Sequence, residues 1–258
     1  MSEEFSKYRP FFTLCKKEVL RFFSVSLQTV LAPIITSSLY LLVFGVSLGK
    51  RIILDTDFTY AQYVIPGLII MGVASNSFSN SSASLFMARY LGYVVDILVA
   101  PITPIQIILA YTIASMLRGL LVGGMILVIS TFFADLPWHA PLYALFLAIA
   151  ISFLFSQFGL IAGAVSSSFD TLSMFTNFLI LPLIYLGGLF YPISQLPPFW
   201  RGISALNPLY YMIEGFRAAA LGKGDVTIAL AFWISGAISA GLLFFVAGII
   251  KRGIKIKV

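Results

Sequence analysis

The chain has 258 residues, of which 60% are hydrophobic and only 10% charged, with a formal net charge of +6. A soluble domain is nearer half apolar and a quarter charged, so this chain lacks the charges to coat a water-exposed surface, and the composition predicts a single membrane domain. Its Lys and Arg residues collect at the two ends instead of interleaving with aromatics on a folded face, a pattern of membrane topology and not of nucleic-acid binding.

Backbone groups in hydrocarbon need internal partners, and long continuous apolar runs supply them as helices rather than as alternating barrel strands. Residues 5–25 mix Lys7, Arg9, Lys16, Lys17 and Arg21 with Phe11, Phe12, Leu14, Val19, Leu20 and Phe22, the composition of an amphipathic helix lying in the interface. The apolar stretch Phe11 to Cys15 is too short, and too quickly followed by Lys16, Lys17 and Glu18, to be a cleaved secretory signal. Cys15, the single cysteine, has no intrachain partner for a disulfide. About 20 apolar residues cross a bilayer, and that length predicts six transmembrane helices. The first runs from Leu27 to Leu48 and closes on a polar hairpin holding Lys50, Arg51, Asp55 and Asp57. The second, Gln62 to Phe86, turns from an apolar half into a Ser/Asn-rich half over residues 75–84 that either lines a polar pathway or packs helices closely.

A linker at 87–104 leads to a third span, Ile105 to Phe133, closed by Asp135, Pro137 and His139, the last read as a surface residue. The fourth covers Leu142 to Val165, and a turn at residues 166–170 opens the fifth, Leu172 to Leu189, which contains Pro182 and Gly187-Gly188. Residues 190–225 are too apolar for a free loop and too broken by Pro192, Pro197, Pro198 and Pro208 for a span, which predicts a re-entrant or interfacial helical hairpin. The sixth span, Val226 to Ile250, ends in a basic tail. On this layout ten Lys and Arg residues fall on the side of the termini and five on the other, so both termini are expected in the cytoplasm.

One histidine and one cysteine make neither a metal site nor a Cys–His pair, and no phosphate-binding loop of the G-x-x-x-x-G-K-[ST] type occurs. Nucleotide energy therefore has to come from a partner. Arg118 is the unusual residue: some 13 positions into the third span it lies roughly 20 Å deep, where it is expected to meet an anionic substrate or Glu214, form a structural ion pair, or snorkel. Three G-x-x-x-G pairs, Gly45/Gly49, Gly119/Gly123 and Gly159/Gly163, are weak signals of close helix packing. Residues that qualify for a pathway or gate are Ser77, Asn80, Ser81, Arg118, Tyr185, Tyr191, Glu214 and Arg217.

Two stretches carry a family resemblance. After the second span, Met87-Ala88-Arg89-Tyr90 leads through Asp96 to Leu98-Val99-Ala100-Pro101-Ile102-Thr103-Pro104; before the last span come Leu186-Gly187-Gly188-Leu189-Phe190-Tyr191-Pro192, Leu196-Pro197, Asn207-Pro208-Leu209-Tyr210-Tyr211 and Arg217. In order and spacing these resemble the ABC-2 type transport permeases, especially the small bacterial permeases grouped with nodulation-factor and drug exporters. The resemblance implies a homodimer in the bacterial inner membrane, with two copies of an ABC ATPase docked through coupling segments at 87–104, where Arg89, Tyr90, Asp96, Pro101, Thr103 and Pro104 match the pattern. It implies a pathway lined by the second and fifth spans near the dimer interface, with no cofactor on this chain and ATP and Mg on the partner. An amphipathic, lipid-like, glycolipid or drug-like cargo suits the aromatics Phe190, Tyr191, Phe199, Trp200, Tyr210 and Tyr211. The rival, an ion-gradient-driven secondary transporter, calls for intramembrane carboxylates, and none of the ten acidic residues falls clearly at mid-depth.

Overall fold

The computed structural model describes residues 2–24, 26–49 and 58–251, and among these the chain is all helical. The helices are α1 (Ser2–Ser24), α2 (Ser26–Tyr40, continued by a π-helical stretch Leu41–Leu48), α3 (Tyr60–Tyr90), α4 (Val94–Val99), α5 (Pro104–Ser130) and α6 (Pro141–Val165). They are followed by α7 (Phe169–Phe175), α8 (Leu181–Tyr185), α9 (Pro198–Ala205), α10 (Pro208–Leu221) and α11 (Ile228–Lys251). The polar hairpin expected around Lys50, Arg51, Asp55 and Asp57 lies outside the described residues.

Among the described residues, four helices are long and apolar enough to cross a membrane: Tyr60–Tyr90, Pro104–Ser130, Pro141–Val165 and Ile228–Gly248. The first and fifth expected spans are represented by shorter apolar helices, Leu31–Gly45 and Phe169–Tyr185. The fifth is broken where the sequence put Pro182: a π-helical turn at Thr176–Ile180 joins α7 to α8. Proline has no N–H to donate to the carbonyl four residues back and its ring crowds that carbonyl, so the ladder widens just ahead of it. The helix then stops at Tyr185, short of the expected Leu189.

Helix α3 is the axis of the fold and packs against both α5 and α6 along its length. Close approach is possible because glycines face its serines. A Cβ on Gly119 of α5 would run into Ser77 Oγ and stand 2.8 Å from the Val73 carbonyl; one on Gly159 of α6 would collide with Ser81 Oγ and the Phe78 carbonyl. Two of the three G-x-x-x-G pairs thus form the helix seams, the arrangement in which dispersion contacts and short hydroxyl bonds replace a hydrophobic driving force inside a bilayer. Helix α11 covers α6, and α10 is wedged among α3, α6 and α11.

Local chemistry sets the ends of these helices. Thr59 and Thr103 each start a capping box, accepting from the backbone N–H of Gln62 or Gln106 while that glutamine returns a bond to the cap. Pro104 follows at the first helical position, where its missing N–H costs nothing. Asn207 caps α10 by accepting from Leu209 N and also donates to the Leu183 carbonyl at 2.6 Å, tying α10 to α8. The expected outer hairpin at 190–225 is therefore a 3₁₀ turn (Ile193–Gln195), the short α9 with exposed Phe199 and Trp200, and the largely buried α10.

Candidate functional site

The segment read as a coupling piece is partly the end of α3. Met87 to Tyr90 continue that helix, a left-handed turn at Gly92 (φ 83°) reverses the chain, and only residues 94–99 form the separate helix α4. Val94 is buried while Val95, Leu98 and Val99 are exposed, so α4 presents an apolar outer face with the exposed Asp96 on it. Between α4 and α1 runs a cleft of about 500 Å³ lined by Arg9, Thr13, Lys17, Tyr93, Asp96 and Pro101, among others. Lys17 holds its ammonium 4.2 Å from the centre of the Tyr93 ring. Burial, then the Glu18 carboxylate, push the Tyr93 hydroxyl above its ordinary value, so it stays a neutral phenol. Burial likewise raises the Cys15 thiol, which is consistent with an inert side chain.

Arg89, expected to offer its charge outward beside Asp96, points inward. Its Nη1 donates to the carbonyls of Gly163 and Ser166, both at 3.0 Å, and so closes the C-terminus of α6. A cation there satisfies carbonyls without helical partners and meets the negative end of the helix dipole. Tyr90 is 62% exposed and stacks on Phe86, with Phe169 edge-on. Thr103 and Pro104 have the local role of starting α5.

Further along α3 lies a buried polar network. Ser77 Oγ and Ser152 Oγ share a hydrogen bond of 2.8 Å, and Ser81 bonds back to carbonyls of its own helix. Both are fully buried between helices, so of the two roles open to the Ser/Asn run, packing describes these two. Asn80 is different: its Nδ2 donates to Ser115, while its Oδ1 accepts from Arg21 at 3.2 Å and from Arg118 at 3.4 Å. Arg118 also donates to Asn76 Oδ1 at 3.4 Å, and its Nε is buried with no partner. The expected Arg118–Glu214 contact does not form, because Glu214 is held by Arg217; among the described residues no carboxylate pairs with Arg118. Arg21 in turn pairs with Glu18 at 3.1 Å, and Glu18 also accepts a short bond from Ser84. Glu18, Arg21 and Asn76 escaped the sequence reading. The Glu-x-x-Arg spacing on an amphipathic helix was the available signal, but the partners Asn80 and Ser84 lie some 60 residues away.

At the opposite end Glu214 and Arg217, one turn apart on α10, form a buried ion pair. Arg217 Nε reaches the Tyr63 carbonyl at 3.1 Å, Nη2 the Gly188 carbonyl at 2.9 Å, and the guanidinium lies 3.8 Å from the centre of the Tyr63 ring. Gly188 can present that carbonyl because it sits at φ 78°, open to glycine. Glu214 spends its second oxygen on the Asp225 N–H. A polar cavity of about 370 Å³ lies against this pair. Beside it Tyr185 meets Tyr40 hydroxyl to hydroxyl at 3.4 Å, and Tyr191 donates to the Tyr185 carbonyl at 3.1 Å. His139 is exposed in the loop between α5 and α6, a surface position as expected. Among the described residues no three His, Cys, Asp or Glu side chains gather as a metal site.

The two ends thus carry different devices, a cleft flanked by basic residues at one and a polar latch at the other. The sequence profile of the ABC-2 type transporter family matches residues 9–221, from α1 through α10. The chain belongs to that family. It is 38% identical over 237 residues to the inner membrane transport permease YadH of Escherichia coli K12, covering 92% of this chain and 93% of that protein. It is 22% identical over 216 residues to nodulation protein J of Rhizobium leguminosarum bv. viciae, covering 83% of each. As an ABC-2 permease it is a multi-pass membrane protein and the non-catalytic transmembrane subunit of an ABC transporter, and the family implies an ABC ATPase as its partner.

Proposed function

We propose that this ABC-2 permease is the transmembrane half of an ATP-driven exporter in the bacterial cytoplasmic membrane. It has six spans with both termini inside, and it works as a homodimer with two ATPase subunits that carry the ATP and Mg. Nucleotide binding moves the α1–α4 region and switches the bundle between inward and outward states. The cargo is amphipathic: lipid-like, glycolipid or drug-like.

The observation that carries this reading is the cleft between α1 and α4. It lies at the chain end richest in Lys and Arg, which the positive-inside rule puts in the cytoplasm. The cleft carries the exposed carboxylate Asp96, and α4 exposes Val95, Leu98 and Val99 on its face away from the cleft, the mixture of apolar contact and charge that docks a soluble partner. Cargo release past the aromatic cluster of Tyr40, Phe44, Tyr185, Phe190 and Tyr191 suits an amphiphile. A gradient-driven transporter has less support, since the buried carboxylates Glu18 and Glu214 are each engaged by the arginine three residues on.

The test is co-purification of the tagged chain in mild detergent, wild type beside Asp96→Arg, with mass spectrometry of the soluble proteins retained. Recovery of a P-loop ATPase with the wild type and its loss with Asp96→Arg is the expected result. Absence of any ATPase from the wild type across several lipid and nucleotide conditions would sink the reading.

A further inference from the structure

We propose that Arg21 and Arg118, gathered on Asn80, bind the phosphate group of an anionic amphiphile drawn from the inner leaflet. The proposal rests on the exporter reading for its orientation, since it takes the α1 end of the bundle as cytoplasmic.

The first observation is an imbalance of charge. Both guanidinium groups donate to the same oxygen, Asn80 Oδ1, so they stand within about two hydrogen-bond lengths of each other. Three elements face this point: α1 with Glu18, Arg21 and Phe22, α3 with Asn76, Asn80 and Ser84, and α5 with Ser115 and Arg118. Their formal charges are two positive and one negative. The single carboxylate is already shared between Arg21 and Ser84. Arg118 is left with two neutral amide oxygens, both at 3.4 Å, and a buried Nε that donates to nothing.

The second observation is depth. Asn80 lies ten residues before the end of α3, which at 1.5 Å per residue places it about 15 Å above the coupling turn. An uncompensated arginine inside the hydrocarbon is costly, and two asparagine dipoles at long range recover little of that cost. A phosphate supplies what is missing, because its oxygens match the fork of a guanidinium and carry the opposing charge.

The third is access. Arg21 keeps 30% of its side chain exposed and Arg118 is only half-buried, so the pair is open on one side. Both helices also carry exposed apolar residues on their other faces, Phe23 on α1 and Ile113 and Leu117 on α5. A phosphate site on helices that also expose apolar surface fits a molecule with a phosphate at one end and acyl chains at the other.

The full chain, purified in detergent, is offered equal amounts of phosphatidylglycerol and phosphatidylcholine, and native mass spectrometry counts the lipids retained. Wild type is expected to keep phosphatidylglycerol in preference. Arg118→Gln and Arg21→Gln are each expected to lower that preference about tenfold, the worth of one charge-assisted hydrogen bond, while Arg118→Lys keeps most of it. Inorganic phosphate in excess separates the sources: failure to displace the lipid assigns the site to a headgroup, and displacement assigns it to a soluble phosphate. Equal retention of both lipids by the wild type, or an unchanged preference in the two glutamine variants, overturns the proposal. Should Arg118→Gln fail to fold, Arg21→Gln, at the half-exposed edge of α1, decides alone. Neither variant touches Asp96, so ATPase recovery stays an independent test of the exporter reading.

Discussion

Glu214 and Arg217 neutralise each other inside the bundle, and Arg217 then reaches across to the carbonyls of Tyr63 and Gly188. One side chain thereby fastens α10 to the start of α3 and to the turn after α8. Removing one partner of such a pair strands a charge away from water, at a cost of about 3–5 kcal/mol. Arg217→Ala and Glu214→Ala are therefore expected to lower the thermal midpoint in detergent sharply. The double variant Glu214→Leu/Arg217→Met should lose less than the sum of the two single changes. Additive losses would show that the two residues act separately.

The seams of α3 give a prediction with its own control. Gly159→Ala places a methyl against Ser81 Oγ and the Phe78 carbonyl, and because one of these is backbone, α3 and α6 must move apart. Overpacking of this kind costs about 1–3 kcal/mol. Gly124→Ala, on the other seam-forming helix α5 but with nothing within 4 Å of the new atom, is expected to be neutral or slightly stabilising. Thermal unfolding of the two variants side by side checks both expectations, and equal loss in each would remove the close-packing argument.

Arg89 and Asp96 are seven residues apart in one segment yet predict opposite phenotypes. Arg89 caps α6 through the carbonyls of Gly163 and Ser166, so Arg89→Ala is expected to cost about 1–2 kcal/mol of stability. Asp96 is exposed, so Asp96→Arg should leave the unfolding midpoint within measurement error while removing ATPase retention. An Arg89→Ala protein of unchanged stability would return that side chain to the docking surface.

How much of this was legible beforehand depends on the range of the interaction. The spans around residues 62–86, 105–133 and 142–165 were visible because an apolar run long enough to cross a bilayer has few alternatives as structure, whereas Thr103-Pro104 and Asn207-Pro208 were read as family motifs and their role as cap and first turn of α5 and α10 was missed, though a cap residue followed by proline is its signal. The extension of α3 through Tyr90 was not, since nothing in Met87-Ala88-Arg89-Tyr90 either stops or demands a helix until Gly92. Arg118 stood out by its depth, which is a matter of counting along one helix. Its partners did not, because choosing Asn76 and Asn80 over Glu214 requires knowing which face of α3 meets α5. The glycine pairs were ambiguous for the same reason: spacing of four is common, and only the serines opposite Gly119 and Gly159 single them out.

Glu18 offers the last prediction, on how α1 is attached. It is 1% exposed on an otherwise amphipathic helix, and its carboxylate joins Arg21 of α1 to Ser84 of α3. Apolar contacts of Leu14 and Phe22 also hold α1 to the bundle, so losing the carboxylate should loosen the helix without unfolding the protein. Glu18→Ala is expected to speed amide hydrogen exchange over residues 13–24 about tenfold or more, since a buried, charge-assisted bond is worth about 1.5–3 kcal/mol, while α3, α5 and α6 keep their protection. Ser84→Ala removes one donor to Glu18 and leaves Arg21 paired, so its effect should be smaller. Exchange in α1 that is unchanged in Glu18→Ala would show that apolar packing alone holds the helix.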